Sequence, residues 1–385
     1  MRPALRLATL LLLATALGED ARGAGPAFSV AAVLTDDEAL DRPHDVELQG
    51  DLAFVPGKGG SIAAIDVSRP DRPQIVWHRR DPRALFDAET VLPLGDYLLL
   101  GTNDLISLDV RNPRSPRFAG TVSDPARIRR INGLVRWGDR VFAACKHGWV
   151  VAFDVSRPEL PNLAGAIDTR QRGGLGSPHD LDRFGDYLVV VDPAGFGRRD
   201  VPGQVGLYRV AEPSTHRPIP ADAWELVGRV ESEELVGANR VQVRGGHAFV
   251  GASRSDAPGH TVVVDLADPA RPVQVAALPF SDGRGPNGLA IAGDVLFLAG
   301  GRTVEAIDVS HPTKPAKLAS YECPEAFGAG RDSAHDLVYR DGHLYVTGQN
   351  DQSFCVLRVE GPRIRKLAER KAAGAGGTGV WGAQR

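Results

Sequence analysis

Ile65–Pro73 reads IDVSRPDRP, and the chain repeats it. LDVRNPRSP stands at Leu108–Pro116, FDVSRPELP at Phe153–Pro161, VDLADPARP at Val264–Pro272 and IDVSHPTKP at Ile307–Pro315. Degenerate copies start at Leu207 (LYRVAEPSTHRP) and Leu357 (LRVEGPRIRK), which makes seven. The phase-equivalent residues Asp66, Asp109, Asp154, Tyr208, Asp265, Asp308 and Arg358 are spaced by 43 to 57 residues. A period of that size built from strand-like units predicts propeller blades.

The motif has a mechanical reading. An apolar residue ends a strand and Asp begins the exit. The Asp and Ser side chains take up backbone N–H groups in the turn. The first Pro fixes φ, and the second opens an edge strand, where a missing N–H is tolerable. Upstream of each copy lie two more strands around a tight turn, as in LVRWGDRVFAAC (Leu134–Cys145), LDRFGDYLVVVD (Leu181–Asp192), LAIAGDVLFLAG (Leu289–Gly300) and LVYRDGHLYVTG (Leu337–Gly348). Gly-Asp or Asp-Gly between β-rich runs is a hairpin signal. Four strands per unit and seven units predict an all-β fold, a seven-bladed β-propeller of four-stranded blades.

The run TVVVDLADPARPVQVAAL (Thr261–Leu278) and its counterparts resemble the LVIVD-repeat propeller family of secreted and surface proteins. The resemblance spans roughly Phe28–Lys371. It implies the fold and no single activity. Blades four and seven depart from its motif at the turn into the fourth strand.

The chain has 385 residues, a size one closed propeller accommodates. Blades are expected at approximately 43–86, 87–129, 130–176, 177–235, 236–284, 285–332 and 333–371. Phe28–Leu34 (FSVAAVL) resembles the fourth strand at Gln274–Pro279, so the N-terminal strand is expected to complete the last blade and close the ring; Arg363–Ala368 competes for that place. Blade four carries two insertions, Asp192–Gln204 and Ala211–Glu225.

Residues 1–23 read as a Sec-type signal peptide, with Arg2 and Arg6 before the apolar run Leu7–Leu17 and small residues at Gly18 and Gly23. That run is short for a membrane span and no later stretch approaches one. The expectation is a periplasmic or secreted protein that does not span a membrane. Residues 372–385 read as a flexible Gly-rich tail. A formal net charge of −3 gives no reason to expect a nucleic-acid partner. The three cysteines are Cys145, Cys323 and Cys355, an odd count that leaves at least one thiol unbridged. A bridge from Cys323 to Cys355 is one option.

The chemistry is expected where the first strands begin, because these line the central channel. Aligned on the repeat, the first ring is His44, Glu89, Asn132, His179, Asn239, Asn287 and His335. The next residues are Asp45, Thr90, Gly133, Asp180, Arg240, Gly288 and Asp336, so three blades carry His-Asp. His44, His179, His335 and Glu89 are a donor set suited to Cu, Zn, Fe or Mn. Asp45, Asp180 and Asp336 are placed to orient the imidazoles. Asn132, Asn239, Asn287 and Arg240 are the ligand-binding candidates. A loose similarity to selenium-binding proteins, propellers that resemble methanethiol oxidase and bear channel histidines, points the same way without an extended motif match. A wet channel mouth also attracts polar residues, and His-Asp at a strand start also ties down the preceding loop.

The long loops of this face carry arginines, among them Arg79, Arg80, Arg127, Arg130 and Arg170, a rim suited to an anion. No G-x-S-x-G elbow is present, and Cys145 with His147, two apart in a β run, reads as packing. Two functions follow. The first is an exported binding module that takes a small molecule or protein through its loop face and polar mouth. The alternative is a metal-dependent, oxidoreductase-like enzyme centred on the His ring.

Overall fold

The computed structural model describes residues 25–171, 174–194, 201–211, 218–254, 258–282, 284–328 and 333–361. The expected signal peptide, the expected Gly-rich tail and the competing segment Arg363–Ala368 lie outside the described residues.

The strands sort into seven four-stranded antiparallel sheets, each a meander of neighbours in sequence except one. In blade one the strands are Glu47–Gln49, Leu52–Gly57, Ser61–Asp66 and Gln74–Arg80. The exception is the last blade, ordered Ala27–Thr35, Ser353–Glu360, His343–Gly348, Ala334–Arg340. Its outer strand is the N-terminal one, paired antiparallel from Ala27 opposite Glu360 to Thr35 opposite Ser353. Both ends of the ring therefore meet in one sheet, where Ala27–Thr35 covers the outer side of Ser353–Glu360. Phe28 locks it by packing on Phe297 and Tyr321, with ring centroids 6.4 and 6.0 Å away.

The apolar residues explain why the blades stand side by side. The middle strands, such as VFAAC or YLVVV, are apolar on both faces and need cover on both. Seven buried clusters provide it, one at each blade junction: Phe54 and Ile62 of blade one against Val91 and Leu98 of blade two, and so round to Tyr345 and Phe354 of blade seven against Val55 and Ala63 of blade one. Each junction buries area at roughly 25 cal/mol per Å², which is what holds a ring whose blades share no ladder.

The repeated turn behaves as the motif implies. The carboxylates of Asp66, Asp109, Asp154, Asp265 and Asp308 each accept from the amide two residues on, at 2.8–3.0 Å. In blade four Tyr208 replaces the Asp. There a longer connection ends in a short 3-10 turn, Ala221–Ala223, with Ala211 N–H donating to Ala223 O at 2.9 Å. In blade four the second strand ends at Asp192 and the third begins at Gly203 on the side where first strands begin, and the third ends at Val210 and the fourth begins at Trp224 on the other side.

Candidate functional site at the channel mouth

The local backbone aims the first ring. Where the ring residue precedes its strand, its N–H is fixed to the second strand: His44 to Pro56 O, Glu89 to Gly101 O, His179 to Val191 O and Asn287 to Ala299 O, at 2.8–3.0 Å. In blades three, five and seven the inner-strand register breaks at Asn132, Asn239 and His335–Asp336. Bulges of this kind re-aim a side chain out of the pleat.

Two residues upstream, the loops enter through left-handed backbone. Arg42, Asp87 and Arg130 have φ of 56°, 55° and 51°, and Gly237 and Gly285 hold the equivalent place in blades five and six. Three non-glycine residues in this region are a strain the fold has to sustain, and such strain gathers at functional places.

All ring residues but Asn239 are buried, beneath the hairpins joining second and third strands. Two of those hairpins deliver lysines the repeat alignment did not single out, Lys58 from GKGG and Lys146 from Cys145-Lys146-His147. Glu89, with no solvent exposure, is their target. The Lys146 ammonium contacts one carboxylate oxygen of Glu89; Lys58 Nζ lies 3.5 Å and Arg130 Nη2 3.3 Å from the other. His44 Nε2 is 3.9 Å away. Burial alone would raise the Glu89 pKa, but Lys146, Lys58 and Arg130 outweigh it and hold the carboxyl at about 2. Lys146 is pulled the other way. Its burial, with Lys58 and Arg130 nearby, wins over the attraction of Glu89 and brings it down to about 8. The asymmetry is physical, since Glu89 faces three cations and Lys146 faces one anion.

The imidazoles are uncharged. Burial is the first cause in each case, bringing His179 and His335 to about 3 and His44 well below its ordinary value. Each Nδ1 meets a backbone carbonyl: His44 that of Glu89 at 2.7 Å, His335 that of His44 at 2.8 Å, His179 that of Ser177 at 3.2 Å. A carbonyl only accepts, so Nδ1 carries the proton and Nε2 the lone pair. The rings of His44 and His335 pack at 4.0 Å between centroids. His179 stands on blade four, across the ring from that pair. Among the described residues no three His, Cys, Asp or Glu side chains are gathered to hold a metal ion.

Asp45 and Asp180 of the second ring turn into the blade junctions, while Asp336 faces Arg240. Asp45 accepts from the amides of Val46 and Val91, both at 2.9 Å, and Asp180 from Val241 at 3.0 Å, so each reaches the next blade's inner strand. The Nδ1 atoms they were expected to orient are held by carbonyls. Gly133 and Gly288 make room for this ring: a Cβ there would fall 2.2 Å from Asp180 Oδ1 and 2.5 Å from Asp336 Cα. Arg240 crosses the axis. Its Nη1 donates to Asn132 O at 3.2 Å, and its Nη2 stands 3.8 Å from Asp336 Oδ2. Beneath the mouth it shares with Asp45, Glu47, Asp180 and Asp336 a chamber of about 30 Å³, room for a water or two. Asn132 donates to His179 O at 2.9 Å and Asn239 to Asn287 Oδ1 at 2.8 Å, while the Oδ1 atoms of Asn132 and Asn239 are buried acceptors with no protein partner.

The arginine rim is largely self-paired. Arg79 meets Asp81, Arg80 meets Asp41, Arg127 meets Asp124 and Arg170 meets Asp168. Cys145 is fully buried, and burial pushes its thiol up to about 12, which leaves it inert beside His147.

Solved structures agree on the architecture. The β-propeller domain of Myceliophteria thermophila Cps50 (Swd1) superposes with a TM-score of 0.60 at 12% identity, covering 87% of this chain and all of that one. The computationally designed Ika8 protein gives 0.55 at 11%, covering 84% and 98%. At such identities the likeness concerns fold alone. No curated protein matches the chain. Residues 87–124, the second blade, match the LVIVD repeat, in a chain folded as a seven-bladed β-propeller.

Proposed function

We propose that this protein is a binding module whose recognition site is the channel mouth and the loop face around it. The observation that carries the reading is Glu89, sealed from solvent and clasped by Lys146, Lys58 and Arg130. Burying Lys146 against Glu89, with Lys58 and Arg130 partly exposed around them, costs stability that a packed apolar plug would not. Three cations face two carboxylates, Glu89 and Asp87, the latter 3.5 Å from Arg130, and the orphan Oδ1 atoms of Asn132 and Asn239 await donors. An acidic group that also carries hydroxyl or amide donors matches both, whether on a small molecule or on a protein side chain. Residues 1–23 support placing this module outside the cytoplasm, in the periplasm or secreted.

The test is calorimetric titration of the full chain with citrate and with inorganic phosphate. Saturable binding of either probe, weakened at least tenfold in Lys58→Met/Lys146→Met and unchanged in Arg69→Ala on the opposite face, supports the reading. Neither probe binding, or binding indifferent to the double substitution, overturns an anion-reading mouth.

The metal-dependent, oxidoreductase-like alternative keeps one favourable observation, the facing neutral pair His44 and His335. Elemental analysis of chelator-free protein decides it. About one equivalent of Cu, Zn, Fe or Mn, lost in His44→Ala/His179→Ala/His335→Ala, would favour it over the binding reading.

A further inference from the structure

Blades six and seven meet over two thiols. Cys323 follows the outer strand Ala316–Glu322 of blade six, at the start of the loop that crosses to blade seven. Cys355 lies in the third strand of blade seven, Ser353–Glu360, paired with Val346 on one side and with Val33 of the N-terminal strand on the other. Both belong to one apolar cluster, their side chains lie close enough to interact, and the Cys323 thiol donates to Glu325 Oε2 at 3.7 Å. The loop is seated on blade seven as well: Ser353 Oγ donates to Ala326 O at 2.9 Å, and the amides of Ala326 and Phe327 turn back to Cys323 O at 3.3 and 2.9 Å. The next residues on the Cys323 side, Pro324 and Glu325, are exposed.

We propose that Cys323 and Cys355 are a dithiol site that a low-molecular-weight disulfide converts to an intramolecular disulfide, tying the loop between blades six and seven to the blade that closes the ring. The exchange balances without another reactant. The Cys323 thiolate attacks one sulfur of the small disulfide, forms a mixed disulfide and releases one thiolate. The Cys355 thiolate then attacks Cys323 Sγ and expels the second. Two protein thiols are oxidised, one small disulfide is reduced to two thiols, and both protons pass to the released thiolates.

The order of attack follows from the surroundings. The interaction with Cys355 favours the Cys323 thiolate and, against burial and the Glu325 carboxylate, holds its pKa below the ordinary value, while that same interaction and burial push Cys355 up. Once Cys323 is capped its negative charge is gone, and what held the proton on Cys355 weakens. Cys323 also lies under an exposed stretch, whereas Cys355 lies between two strands. Cys145, on blade three, has no part in the pair and is the internal control.

Full-length protein is incubated folded with oxidised glutathione, denatured, alkylated and peptide-mapped. The expected result is a Cys323–Cys355 cross-linked peptide, an intact mass lower by two hydrogens, and Cys145 alkylated. In Cys355→Ser the glutathione adduct is trapped on Cys323; in Cys323→Ser, Cys355 remains free. Alkylation of both cysteines in the wild type, under conditions that oxidise a dithiol control protein, overturns the proposal. So does an adduct on Cys355 in place of Cys323. The wild-type map needs no variant, so a substitution that fails to fold does not hide the answer.

Discussion

The ammonium of Lys146 rests against the carboxylate of Glu89 with neither side chain open to solvent. The two partners are not equivalent. Glu89 also faces Lys58 and Arg130, so Glu89→Gln leaves three cations around a neutral amide. Lys146→Met leaves Glu89 with two cations still in place. We expect Glu89→Gln to cost about 3–5 kcal/mol and Lys146→Met about 1–3 kcal/mol. Chemical denaturation of both variants reads the difference. Equal costs would show that Lys58 and Arg130 do not share the carboxylate.

Acid should destabilise the protein well before its carboxylates titrate. His179 and His335 sit at about 3 against an ordinary 6.5, and His44 is lowered too. A base whose folded pKa is depressed binds its proton only in the unfolded chain. Its contribution is fully present above about pH 6.5 and is lost as pH falls toward 3, by about 1.4 kcal/mol per pH unit for each imidazole. Glu89, held at about 2 against 4.5, adds a loss of the same sign lower down. Urea midpoints between about pH 7 and pH 5 should therefore fall steeply. His179→Asn and His335→Asn should each remove one proton from the slope. A flat wild-type profile would mean that the imidazoles are solvated.

What the sequence revealed of this site follows from what a repeat can reveal. Strand and ring positions recur in every blade and the Asp turn in five, so the Asp turns, the closing strand Ala27–Thr35 and the seven ring residues are legible by alignment. Lys58 and Lys146 occur in two hairpins of the seven and break the repeat, so alignment passes over them; the signal was their equivalent place between second and third strands, in blades one and three. The aspartates carried two readings, because consecutive residues of a strand face opposite ways; Asp45 and Asp180 turn toward the next blade.

Two glycines of the second ring are predicted to differ under substitution. In Gly288→Ala the new Cβ meets Asp336 Cα and His335 O, both backbone. Nothing there moves cheaply, and a loss of about 1–3 kcal/mol or more is expected. In Gly133→Ala the nearest atom is the Asp180 Oδ1 side-chain oxygen. Adding Asp180→Ala should recover part of the loss at Gly133, whereas adding Asp336→Ala should recover none at Gly288. Double-mutant cycles by thermal denaturation measure both couplings.

Asp45 separates the stitching of blades from the orientation of imidazoles. One of its oxygens accepts from Val46 and the other from Val91 of the neighbouring blade. Asn offers a single oxygen, so Asp45→Asn leaves one buried amide without its acceptor at a cost of about 1–3 kcal/mol. His44 Nδ1 is held by Glu89 O, not by this carboxylate. Asp45→Asn should therefore lower stability while the nitrogen chemical shifts of His44 still report the Nδ1-protonated tautomer. A tautomer change with stability intact would return Asp45 to the role of orienting the ring.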